Sequence, residues 1–276
     1  MKSKSLILLG SLILALSFSS LCWGASSVAG DTVEYDFRSG QAVAKGHVVV
    51  TRDKARAESA EADYNTKTGN GKLTGSVVAA QEDAHLTCQT LVIASMGDHL
   101  TATGNAVLKK QDKTLRSNIV DYFSQREYAQ TGGDWAQLTL DDGSVMDAVQ
   151  MNYDMKEGLA NATGNVRVVS PPRKLTARGD RALYNTKVED GTIELIGHAT
   201  ATQDGDTVTG NVLRLKGAGG KISEAEGSVK LVYHPRQEPK VEPYAEVVGD
   251  QYVPRFEDKP LPYAGEDFRI EYKALA

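Results

Sequence analysis

Residues 101–109 read "TATGNAVLK" and residues 161–169 read "NATGNVRVV". Both stretches place apolar residues two and four positions after a glycine, with polar residues between them. That alternation is the period of a β-strand, not the i, i+3, i+4 stripe of a helix. The same frame recurs as "AKGHVVV" around Gly46, "LTGSVVA" around Gly75, "LIGHATA" around Gly197 and "AEGSVKL" around Gly227. A weaker copy, "QTGGDWAQL", surrounds Gly132 and Gly133. The glycines follow one another at intervals of about 30 residues, the mark of a chain of similar supersecondary units.

Each unit carries a second landmark. "ARAESAEADYN" (55–65), "HLTCQTLVIAS" (85–95), "TLRSNIVDYFS" (114–124), "KLTARGDRALYN" (174–185) and "TVTGNVLRLKG" (207–217) place apolar or small residues at p and p+2, then at p+5 and p+7. A strand returns to the same face every second residue. The step from p+2 to p+5 therefore adds one residue, which a β-bulge or sharp corner would absorb while both halves keep their apolar groups on one side. The copy over Val145–Tyr153 reads without a slip, through Val145, Val149, Met151 and Tyr153. The opening segment, 31–46, reads as half a unit that lacks its first strand. Val, Thr and Tyr suit pleated strands, and "YNTKTGNGK", "SMGDH", "LDDGS", "SPPRK", "YNTKVEDGT" and "QDGD" mark turns between them. Two strands per unit give about 15 strands, more than one flat sheet comfortably holds. Their apolar faces must close on themselves as an all-β folded sheet, jelly roll or solenoid-like sandwich. No helix longer than one turn is expected after the N-terminal segment.

The N-terminal segment reads differently. Lys2 and Lys4, an apolar run from Leu6 to about Leu21, and small residues near Gly24 and Ala25 describe a secretory signal peptide over 1–25. The run is short for a membrane span. Cys22 raises lipoprotein processing, but the preceding Leu21 fits that poorly. Without Lys2 and Lys4 the chain has 29 basic against 36 acidic side chains. Such a surface does not hold a polyphosphate backbone, so nucleic acid is not an expected partner. Cys88 is then the one cysteine left, so no internal disulfide can form, and its apolar setting makes it a small core residue. From His234 onward six of the eight prolines appear, and the charged, aperiodic 234–276 segment reads as an extension. Its short apolar pieces "YAEVVG" and "DFRIEY" could dock on a sheet edge or a partner.

Catalytic constellations are not expected. No His-x-x-x-His or Cys-x-x-Cys pattern offers a zinc site. His47 and His198 share one repeat position on the expected outer face, where repeat drift explains them better than metal binding. Asp141–Asp142 precede a turn glycine, where aspartates serve backbone geometry, and Glu224 and Glu226 are the other acidic pair. "NAT" at Asn161 belongs to the repeat. The glycines at 69/71 and 217–220 are turns without a following helix, so they do not cradle phosphate. No cofactor is expected. What remains is surface: an inward apolar face lined by Ala, Val, Thr and Ser with few large rings, which points to a partly open trough, and two free sheet edges.

The repeated pattern "G-x-V-x-V … L-x-A-x-x-A-x-Y … A-x-G" resembles the OstA-like, LptA family of periplasmic lipopolysaccharide-transport domains. The segments 44–75, "AKGHVVVTRDKARAESAEADYNTKTGNGKLTG", and 162–197, "ATGNVRVVSPPRKLTARGDRALYNTKVEDGTIELIG", carry the resemblance best, and it spans roughly residues 28–233. It implies a V-shaped antiparallel β-jelly roll of about 14–16 strands over 26–233. It also implies a periplasmic, non-enzymatic protein that binds the lipid A part of lipopolysaccharide in an apolar trough. Head-to-tail contacts between sheet ends, and inner-membrane LptC-like and outer-membrane LptD-like components, are the implied partners. The inward positions carried over as lipid-binding are Val48, Val50, Ala62, Tyr64, Val77, Leu91, Ile93, Ala106, Leu108, Val120, Tyr122, Val166, Val168, Ala182 and Tyr184. The chain has more units than a simple bridge protein, so a longer bridge, a fused double domain, an LptC-like component or an LptD N-terminal domain without its barrel are all open. Two readings of other classes stand beside it: a structural β-solenoid or adhesin-like envelope protein with a filled core, and a secreted carbohydrate-active β-helix enzyme.

Overall fold

A computed structural model describes residues 7–8, 26–185, 187, 191–216, 221–234, 245–248 and 251–254. The expected signal peptide lies outside the described residues except for Ile7–Leu8, and so does most of the 234–276 segment, including "DFRIEY".

Alternating apolar residues make the whole described chain strand. In order these are β1 (Ile7–Leu8), β2 (Ser26–Ala29), β3 (Thr32–Asp36), β4 (Gln41–Arg52), β5 (Ala55–Asn65), β6 (Gly71–Gln81), β7 (Ala84–Ala94), β8 (His99–Lys110), β9 (Lys113–Phe123) and β10 (Tyr128–Thr139). There follow β11 (Val145–Ala148), β12 (Gln150–Asp154), β13 (Leu159–Ser170), β14 (Leu175–Asn185), β15 (Thr192–Gln203), β16 (Asp206–Lys216), β17 (Lys221–Glu226), β18 (Lys230–Val232), β19 (Ala245–Val248) and β20 (Gln251–Pro254). A three-residue 3₁₀ turn, Ser95–Gly97, is the one helical piece among the described residues. From β4 to β10, and again from β13 to β16, each strand pairs antiparallel with the next. Three rungs of this meander are interrupted: β2 with β3, β11 with β12, and β17 with β18 each pair end to end along one neighbour. Counted this way, the sheet has fourteen rungs. The first is therefore a whole rung and not the half unit expected, because Ser26–Ala29 supplies the missing piece beside Val49–Arg52. The segment containing "YAEVVG" pairs β19 with β20 and not with the edge of the large sheet.

Every rung bends at one place, and the glycine sets it. Gly46 and His47 stand together opposite the single residue Ala60, since Lys45 pairs with Glu61 and Val48 with Ser59. The same two-against-one bulge sets Gly75–Ser76 against Gln89, Gly104–Asn105 against Asn118, Gly164–Asn165 against Asp180, and Gly197–His198 against Asn211. At each, and at Gly227–Ser228, a glycine with φ of +68° to +85° is followed by a residue with φ of +45° to +51°. Two consecutive left-handed residues turn the strand sharply. The first must be glycine for a second reason: a Cβ on Gly104 would lie 2.8 Å from the Cβ of Gln89, one on Gly75 2.6 Å from the Cβ of Ala60, and one on Gly164 2.8 Å from the Cβ of Val149. The second is Asn, Ser or His; short or hydrogen-bonding polar side chains tolerate the left-handed region best. His47 and His198 are thus exposed corner residues, and each faces a carboxylate across the crease, Asp31 at 3.0 Å and Asp180 at 2.8 Å. The corner geometry, not repeat drift, accounts for them.

The aligned bends make a crease across the sheet that divides it into two arms. In the rungs opposite the glycines the predicted slip is present: Ala57, Ser59, Ala62 and Tyr64 are buried in β5, and Leu115, Ser117, Val120 and Tyr122 in β9. The β11–β12 rung slips too, which corrects the straight reading. Its buried residues are Met146, Ala148, Met151 and Tyr153, while Val145 is only half-buried and Val149 occupies the crease beside Gly164. The single-residue error arose because Val145 and Met146 are both apolar and a period-two count accepts either.

Replacing Gly104 by Val should destabilise the protein by about 2–4 kcal/mol, since it adds left-handed strain of about 1–3 kcal/mol to the collision with Gln89. Replacing the adjacent Asn105 by Gly should cost less than about 0.5 kcal/mol. Urea unfolding of the two variants checks this, and equal losses would contradict the crease assignment.

Candidate functional site

The inward positions form a single cluster. Thirteen of the fifteen sequence-predicted residues are buried, and Ile93 and Tyr184 are partly buried against the same cluster. A single sheet layer cannot bury Ala44 or Ala102 completely; the opposite arm of the bent sheet covers them. Within the glycine-bearing strands, sequence reasoning counted inward residues only after the glycine. The same parity runs before it, and Ala42, Ala44, Leu73, Ala102, Ala160, Ala162, Ile193 and Leu195 are equally buried. Extending the alternation across the glycine would have found them.

The arms also meet along their free margin, away from the crease. The inward series of the glycine strands ends, six residues past the glycine, on Arg52, Gln81, Lys110, Ser170 and Gln203. These polar residues rim the mouth. The Lys110 Nζ reaches across it to donate to Glu127 Oε1 at 2.9 Å, with Asp83 at 3.6 Å, and the lysine side chain is only 14% exposed. Burial pulls the Lys110 pKa down, but the Glu127 hydrogen bond, Tyr122 and Asp83 outweigh it and leave it raised. Ser170 bonds Ser144 at 2.7 Å, and Gln203 donates to the Arg173 carbonyl at 3.0 Å. Across the mouth, Tyr184 lies near Arg173, and burial pushes its phenol up to about 12. The expected trough is therefore closed over much of its length. Its open portion is a cleft of about 640 Å³, open mouth included, between the strands β4 to β9. Val50, Tyr64, Leu91, Ile93, Leu108 and Tyr122, all sequence-predicted, line it with Ala57, Ala79, Leu86 and Leu100. Arg52 stands at its rim, a residue the sequence pattern passed over because it is charged.

The carboxylates that could resemble a hydrolytic pair are engaged elsewhere. Asp142 accepts from the Ser144 backbone and pairs with Arg173 at 3.1 Å; Glu224 and Glu226 both bind Arg214. Among the described residues no group of three or more His, Cys, Asp or Glu side chains is placed to hold a metal ion. Gly69 and Gly71 flank a turn, and 217–220 lie outside the described residues. No described helix is long and apolar enough to cross a membrane.

Residues 94–221 match the family model described as LptA/(LptD N-terminal domain) LPS transport protein. Among solved structures, the chain is similar to LptH, the LptA homologous periplasmic component of the lipopolysaccharide transport device from Pseudomonas aeruginosa. That match is 19% identical, covers 43% of this chain and 95% of the other, and has a TM-score of 0.39. No curated protein matches.

Cys88 offers an internal check. Its thiol is buried among the inward residues, and desolvation pushes it up to about 11 from 9.0. A group whose pKa is raised by folding contributes its stability below the unfolded value and loses it above. A Cys88→Ala variant should therefore show less loss of stability between pH 9 and pH 11 than the parent, read by urea midpoints. The native thiol should resist a thiol-specific reagent at pH 8 and react on unfolding.

Proposed function

We propose that this chain, whose residues 94–221 match the LptA/(LptD N-terminal domain) LPS transport protein family model, is a periplasmic lipopolysaccharide-transport protein that holds lipid A acyl chains between the two arms of its sheet. The observation that carries this reading is the convergence of inward apolar residues from every rung on one face, opening at the cleft between β4 and β9. The rungs before residue 94 have the same glycine crease as those within the matched segment, so one interior runs through both. Each buried methylene contributes about 0.8 kcal/mol, and a twelve-carbon chain therefore about 10 kcal/mol. Lipid in the interior needs the arms to part where Lys110 and Glu127 join them.

The two ends of the meander suit assembly with further copies or with LptC-like and LptD-like partners. At one end, among the described residues, β3 pairs only with β4 and with the two residues of β1. Removal of a signal peptide ending near residue 25 would free that edge. At the other end β18 is exposed, and Val229, Leu231, Val232 and Tyr233 in and beside it are exposed apolar residues. Free N–H and C=O rows of this kind accept a strand from another chain.

A second reading, a structural envelope protein with a filled core and no lipid, draws on the burial of the inward residues of β10 to β16. The two are separated by photo-crosslinking in cells. A photoreactive residue at Ile93 or Tyr122 should capture lipopolysaccharide, and one at Ser76, on the outer corner, should not. Equal capture at inner and outer positions, or none at either, would sink the transport reading.

A further inference from the structure

The rim of the cleft contains an unpaired cation. Arg52 continues the inward series Val48 and Val50, so it points between the arms and lines the cleft. Its side chain is half-buried; the guanidinium reaches across the mouth and lies on Gly69, at the tip of the opposite arm, where a Cβ would collide with it. The Nη1 atom is buried and has no hydrogen-bond partner. Directly opposite Arg52 in the β2–β4 register is Ser26, whose Oγ is likewise buried and unpartnered. The other rim residues differ. Lys110 is satisfied by Glu127 and Asp83, Ser170 by Ser144, and Gln203 by a carbonyl. Arg56, which also borders the cleft, is committed to Glu58 at 2.8 Å. Buried donors without partners are rare, and a charged one is expensive to leave so.

Next to Arg52 the cleft wall is almost wholly apolar: Val50, Ala57, Tyr64, Ala79, Leu86 and Leu91. An apolar cavity whose mouth holds one unsatisfied guanidinium matches a ligand of one shape, an acyl chain ending in an oxyanion. Arginine suits such a group because its planar fork binds phosphate oxygens in pairs.

We propose that Arg52, with Ser26 beside it, is the seat for the phosphate headgroup of an acylated lipid whose chain enters the cleft between β4 and β9. This rests on the reading that the interior takes acyl chains, and it adds which residue reads the headgroup and at which end of the sheet. Gly69 is then a positioning residue, kept small so that the guanidinium can cross the mouth.

Binding of dodecyl phosphate, dodecanol and inorganic phosphate to the full chain tests this by calorimetry below the micellar range. The parent should bind dodecyl phosphate at least about tenfold more tightly than dodecanol. Arg52→Ala and Arg52→Gln should lose that preference while still binding dodecanol, with melting temperatures confirming the fold. An Ala79→Trp change, which fills the cleft, should abolish binding of both amphiphiles. If the Arg52 variants keep the preference, the seat is wrong and the acyl-binding interior stands. If inorganic phosphate binds as tightly as dodecyl phosphate, the site is one for free anions and the lipid assignment fails. If neither amphiphile binds the parent, the acyl-binding interior fails with it.

Discussion

The fold depends on a close approach of backbones along one line. Where Gly46, Gly75, Gly104, Gly164, Gly197 and Gly227 meet the residue opposite, there is no room for a side chain, and the strand turns through two left-handed residues. Because the bends fall in register from rung to rung, the two arms lie over one another. That superposition converts an alternating strand, which alone buries only one side against nothing, into a two-layer core. A sheet of the same sequence without the crease would expose a continuous apolar face far larger than a soluble surface tolerates. The inward positions that flank the crease are filled by small and large side chains in turn, Ala44, Ala62, Ala102, Ala106, Ala162, Ala182 and Ala199 beside Leu73, Leu91, Leu195 and Leu213, all of them buried.

Much of this is legible in the sequence because strand periodicity and a repeated glycine are strong local signals. The period-two alternation gave the inward face, and the jump from p+2 to p+5 located the bulge before any coordinates. The β11–β12 rung was misread by one residue since Val145 and Met146 are interchangeable by hydrophobicity, and only pairing of Met146 with Val168 separates them. The first rung was misread since Ser26–Ala29 lacks the glycine frame and is a strand only because Val49–Arg52 lies beside it. The polar residue after each glycine carried a conformational meaning that composition alone does not reveal. His47 looked like drift from Ser or Asn, yet all three satisfy the same left-handed position.

The mouth was not legible. Lys110 ends β8 and Glu127 lies in the turn after β9, on different arms, and nothing in either local sequence announces the pairing. The same holds for Arg52, which meets Gly69 only because the crease brings opposite strand tips together. The residues at the sixth position past the glycine are of four different polar types, so they do not read as a repeat, although they share one place in the fold.

That mixture of a polar rim and an apolar interior decides how the molecule can open. Partly exposed ion pairs contribute on the order of 0.2–1 kcal/mol, and Glu127 at the mouth remains well exposed to water. One or two buried methylenes offset such a pair at about 0.8 kcal/mol each. Parting the arms at the crease would instead strain paired left-handed residues at several rungs together, at about 1–3 kcal/mol apiece. Movement is therefore cheapest at the margin and most costly at the fold line, as in a hinge held by its spine. The arms also need not part everywhere. Over β4 to β9 the interior has unfilled volume beneath the mouth, so separating the margin there breaks fewer apolar contacts than separating it where inward side chains meet directly.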